Sequence, residues 1–97
     1  MAPCGLSAQL PESKQELLAL FKDSKKPAEL RLEAAVALQK VYVFENADSL
    51  KQLCQQMDRY GQQQGDLLWR GCAWQGFGNY HLVSNNLDSA KYAFLKA

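Results

Sequence analysis

Apolar residues in this chain recur at three- and four-residue intervals rather than at every second position, which predicts helices along most of its length. Leu17, Leu18, Leu20 and Phe21 form the first stripe, and Pro11 is placed to open that helix. Glu12 and Glu16 lie toward its positive end and Lys22 toward its negative end, as the helix dipole favours. The Ser24-Lys25-Lys26-Pro27 break then leads into a second helix from about Pro27 to Phe44, with Leu30, Ala34, Ala37, Leu38, Val41 and Tyr42 on its apolar face. Val41 to Phe44 also suits a strand by propensity. No second strand-like run exists to pair with it, so helix is the expectation.

Asn46-Ala47-Asp48 marks the next turn, with Asp48 placed to cap a third helix carrying Leu50, Leu53, Cys54 and Met57 on one side. The Gly61-Gln-Gln-Gln-Gly65 stretch is expected to end it, at the latest near Gln63. Asp66 is the next cap, and a fourth helix follows from Leu67 to about Val83. Large residues there (Leu67, Trp74, Phe77, Tyr80, His81) interleave with Gly71, Ala73, Gly76 and Gly78. Each glycine inside a helix costs about 1 kcal/mol relative to alanine, so close packing against neighbouring helices must compensate. A last helix over 87–97 turns Leu87, Ala90, Ala93, Phe94 and Ala97 inward. Tyr92 and Leu95 point elsewhere, and this second apolar side marks them as an interface with another subunit or a second copy of the chain.

Sliding the sequence by 40 residues lays Val43 to Lys51 on Val83 to Lys91, and Val, Asn, Asp, Ser and Lys recur at five of nine positions. Unrelated sequences of ordinary composition would share about one. Either a true repeat or two helical corners that reuse good capping residues gives this pattern, and both predict the same architecture. The fold expected is all-α, an antiparallel helix-turn-helix array of about five helices. It forms a single domain over 11–97 behind a loose N-terminus over 1–10 that has Pro, Gly and Ser and no periodicity.

Composition narrows the possible functions. Eleven Lys plus Arg oppose ten Asp plus Glu, a formal net charge of +1 without long single-sign runs, so neither nucleic acid nor an acidic lipid surface is the expected partner. No apolar run is long enough to span a bilayer. The opening residues lack the basic start and apolar centre of a secretory signal, and the expected location is cytoplasmic. Cys4, Cys54 and Cys72 are odd in number and widely spaced, which predicts reduced thiols rather than a disulfide framework or zinc knuckle, with Cys54 and Cys72 as small core side chains. His81 is the lone histidine. It cannot fill a metal coordination sphere and has no acid or nucleophile at a catalytic spacing, so neither an enzyme, a metal nor a cofactor is expected. The glycines follow no strand and make no phosphate loop.

Trp74, Phe77, Gly78, Ala90, Phe94 and Ala97 together resemble one tetratricopeptide repeat, whose pattern is W-x2-L-G-x2-Y followed by A-x3-F. The resemblance is strongest over 67–97. Phe77 stands for the usual Leu, His81 for the usual Tyr, and Asn85 for the turn glycine, which Asn can replace because it visits the left-handed region more readily than most residues. The 40-residue spacing is more like the extended repeats of cytoplasmic scaffold adaptors than the 34-residue form. The resemblance implies a groove lined by the first helix of each pair. On that face it puts Asn79, which in the family bonds the backbone of an extended peptide, with Cys72, Gln75, Leu82 and Val83. Gln39, Tyr42 and Val43 are the equivalents one repeat earlier. Gln75 stands where a carboxylate-gripping Lys would be, so a carboxylate clamp is not implied on this face. The expected function is a non-catalytic interaction or scaffold module for a protein or peptide partner, or a homo-oligomer through the final helix. The alternative is a small structural subunit of a large assembly.

Overall fold

The computed structural model describes residues 10–97. Five α-helices and no strands occur among them: α1 (Lys14–Lys22), α2 (Ala28–Glu45), α3 (Ala47–Gln64), α4 (Leu67–Val83) and α5 (Leu87–Lys96). The fold class is all-α. Cys4 and, apart from Leu10, the segment expected to be loose lie outside the described residues. The chain divides into two compact units with the boundary after Leu38, inside α2.

In the first unit α1 begins later than Pro11 because Ser13 is the better cap. Its backbone is extended and its hydroxyl accepts the Glu16 N–H at 3.3 Å. Leu17 and Phe21 are the buried members of the α1 stripe. Asp23 closes the helix by folding an Asx turn, accepting the Lys25 N–H at 3.0 Å. Arg31 on α2 donates from Nε to the Phe21 carbonyl at 2.9 Å, satisfying one of the carbonyls left open at the C-terminus of α1. Leu32, Ala34, Ala35 and Leu38 are the buried residues of this part of α2. Leu30 and Ala37, expected on the buried face, are half-exposed.

The second unit is a set of helices joined by very short corners. Asn46, not Asp48, caps α3: its backbone is extended and its Oδ1 accepts the Ser49 N–H at 3.1 Å. Asp48 lies inside the first turn, where its charge still favours the helix N-terminus. The helix passes Gly61 and continues to Gln64. Gly61 does not end it, because here α3 meets the start of α4: a Cβ at Gly61 would lie 2.6 Å from Arg70 Cγ and 3.0 Å from the Asp66 carbonyl. Gly65 supplies the left-handed residue, with φ at 64°. The Asp66 N–H then donates back to the Gly61 carbonyl at 2.8 Å. Asp66 turns at once to cap α4, accepting from Leu68 and Trp69.

The next corner repeats that solution. Asn85 takes φ 60°, the Asn86 N–H reaches the His81 carbonyl at 2.8 Å, and Asn86 Oδ1 accepts the Ser89 N–H at 3.3 Å. Asn46 and Asn86, 40 residues apart, thus make the same cap to equivalent serines. The core of the unit is Leu50, Leu53, Cys54, Met57, Trp69, Ala73, Ala90 and Ala93. Trp69 packs on Tyr60 with ring centroids 4.4 Å apart. Gly78 is the notch into which Phe94 fits, since a Cβ there would overlap the Phe94 ring. Leu87, Phe94 and Ala97, expected inside, are exposed, Phe94 at 39%.

Candidate functional site

Helix α4 lies between α3 and α5, and its surface carries two stripes of side chains. At about 100° per residue, Cys72, Gln75, Asn79, Leu82 and Val83 fall on one stripe. Trp74, Phe77 and His81 fall on another, roughly 160° around the axis. The first stripe contains the residues that the family resemblance selects. Leu82 and Val83 are 46% and 50% exposed and Gln75 is exposed, whereas Cys72 and Asn79 are half-buried.

Gln39 does not belong to an open groove. It is buried, with Nε2 donating to the Cys72 carbonyl at 3.1 Å and lying 3.2 Å from Met57 Sδ and 3.6 Å from Cys54 Sγ. Its amide ties α2 to α4 beside the middle of α3, and a buried donor satisfied this way has no hydrogen left to offer a partner. Gly76 makes room for it, because a Cβ at that position would overlap Cys54 Sγ and stand 2.6 Å from Gln39 Nε2. Tyr42 and Val43 are half-buried. Burial pushes the Cys54 thiol up to about 12, partly offset by the Gln39 amide. Burial, reinforced by the nearby Asp66 charge, also raises Cys72 above its usual range. Both sulfurs are protonated at neutral pH, which fits side chains that pack rather than react.

The second stripe forms the floor of a half-open cavity of about 390 Å³. Trp74, Phe77, Tyr80 and His81 of α4 line it, with Lys51 of α3 on one side and Ser84 and Asn86 from the corner before α5. The Trp74 and Phe77 rings are 5.0 Å apart and tilted by 58°, and Tyr80 stands edge-on to His81 at 5.1 Å. The Lys51 ammonium lies 5.8 Å from the centre of the Tyr80 ring. On its other side Trp74 meets Tyr92 edge-on at 6.3 Å and lies beneath the Lys96 ammonium, 4.9 Å from the ring centre. The Trp74 indole N–H is buried without a hydrogen-bond partner among the described residues, and ring packing and the overlying cation hold this side chain.

None of the residues selected by resemblance lines this cavity. The sequence does place Trp74, Phe77 and His81 at helical spacing, but that spacing equally describes a packed core. What separates a cavity floor from a core is the distance from Lys51 on another helix, and one-dimensional periodicity does not contain it. Tyr92 and Leu95 on α5 are 60% and 77% exposed. Among the described residues no cluster of three His, Cys, Asp or Glu side chains could hold a metal ion, and no helix is long and apolar enough to cross a membrane. Comparison with family models, curated proteins and solved structures finds no match to this chain.

Proposed function

We propose that this chain is a non-catalytic protein-interaction module of tetratricopeptide-like build that holds a partner protein against its helical surface. One observation carries the proposal. Tyr92 and Leu95 are exposed on α5, and their equivalents 40 residues earlier, Gln52 and Gln55, are exposed glutamines. The repeat itself therefore does not require apolar side chains at these positions; Tyr92 spends one edge on Trp74, and its exposed remainder together with Leu95 argues for a covering surface supplied by another molecule. Leu82 and Val83 are separately exposed at the end of α4. The nesting of Phe94 over Gly78 supports the tetratricopeptide-like reading, because small residues admit close helix approach at these positions of the motif.

The test is to give α5 the side chains of α3. Tyr92→Gln with Leu95→Gln in the full chain is expected to abolish co-purification of a partner from native extract, with the circular-dichroism spectrum unchanged. Exchange of a soluble partner on and off the wild type supports an adaptor. Constant stoichiometric recovery with one large complex moves the reading to a structural subunit. A wild-type chain that sediments as a monomer at high micromolar concentration and captures nothing removes the proposal.

A further inference from the structure

We infer that the cavity on α4 is a binding site for a small organic anion, a flat apolar body carrying one carboxylate. Its volume of about 390 Å³ falls within the range of small-ligand sites. Trp74 and Phe77, tilted against each other, offer ring faces and edges to a flat ligand. Its polar groups are few, those of Lys51, Tyr80, His81, Ser84 and Asn86, beside the rings of Trp74 and Phe77, as such sites require for orientation. Lys51 supplies the positive charge, and its ammonium contacts the Tyr80 ring but no carboxylate among the described residues. Asn86 spends its carbonyl oxygen on the Ser89 N–H, so its NH2 remains as a donor beside the Ser84 hydroxyl.

Among the described residues no Asp or Glu side chain lines the cavity, which disfavours a cationic ligand. One lysine and no arginine among the described lining residues suit a monoanion better than a phosphate, which calls for several cations or an arginine fork. The cavity lies on the side of α4 away from Asn79 and Gln75, and it uses neither Tyr92 nor Leu95 as lining. Loss of the partner-binding proposal leaves this one standing, and the reverse holds.

The experiment is an amide chemical-shift titration of the full chain with 3-phenylpropionate, run beside the neutral 3-phenylpropanol and the cationic 3-phenylpropylamine. The acid is expected to saturate and to move the Trp74 indole N–H and the amides of Phe77 and Ser84. The alcohol is expected to bind about tenfold more weakly, the loss of one charge-assisted contact at a partly exposed site. Lys51→Met removes an exposed ammonium from α3 and should reduce the acid to the level of the alcohol, whereas Lys40→Met, an exposed lysine outside the cavity lining, should change nothing. Equal binding of all three compounds would reduce the site to an apolar patch and overturn the inference. So would acid-induced shifts centred elsewhere, no saturation, or undiminished binding by Lys51→Met.

Discussion

Two glycines of α4 look alike in sequence but differ in what surrounds them. A methyl group at Gly76 meets Cys54 Sγ, a short buried side chain, and Gln39 Nε2, which is held by the Cys72 carbonyl. Neither can yield without losing packing or a hydrogen bond. Gly76→Ala should therefore destabilise by about 1 to 2 kcal/mol in urea unfolding, overpacking outweighing the roughly 1 kcal/mol that alanine adds to a helix. At Gly78 the obstacle is the Phe94 ring, which is partly exposed and can swing outward, so Gly78→Ala should lose less than about 1 kcal/mol. Cys54 makes a second residue-level prediction. Its thiol is raised from 9.0 to about 12 in the folded chain, so between these values the unfolded chain releases a proton that the folded chain keeps. The resulting stability is complete below pH 9 and is lost as pH rises toward 12. The unfolding free energy of the wild type should fall more steeply above pH 9 than that of Cys54→Ala, by up to about 1.4 kcal/mol per pH unit. Parallel profiles would mean that the thiol is not held protonated by burial.

At the scale of helices, the corners set the register. Asn46 and Asn86 each accept a serine N–H three residues on, and replacing either by alanine should cost about 0.5 to 2 kcal/mol by urea unfolding. In α5, a helix of only 10 residues, the lost cap should also fray the helix, visible as faster amide exchange at Ser89 than at Ser49 in the Asn46 variant. Much at this level is legible in the sequence. Asp66, Leu67 and Val83 bound α4 as the caps and periodicity indicate, and Asn85 occupies the left-handed position that its chemistry tolerates. Sequence and structure part where two local signals compete. Pro11 and Asp48 are good helix-start residues, but Ser13 and Asn46 lie in the extended conformation that a cap requires, and a sequence does not display φ and ψ. Gly61 resembles a helix end because glycine usually is one. Only the approach of Arg70 shows that it is a contact.

At the scale of the molecule, the candidate surfaces are harder to read than the helices, because burial depends on what comes from elsewhere in the chain. Gln39 has the polarity of a groove residue but spends its donors inside, while Lys51 and His81, distant in sequence, meet around one cavity. The two proposed surfaces also differ in physical character, and that difference can be measured. The chain carries a formal net charge of only +1, and the α5 surface is proposed to act through the uncharged Tyr92 and Leu95. Burial of apolar area is not screened by salt, whereas an exposed ammonium facing a carboxylate is attenuated as the Debye length shrinks from roughly 10 Å at 0.1 M toward 3 Å at 1 M. Association through α5, with a second copy or a partner, should therefore keep its midpoint within about twofold between 0.1 and 1 M sodium chloride in sedimentation equilibrium. Binding of 3-phenylpropionate beside Lys51 should weaken severalfold over the same range. Strong salt weakening of the α5 association would show that charge carries it, and would shift the contact from Tyr92 and Leu95 to the lysines beside them, Lys91 and Lys96.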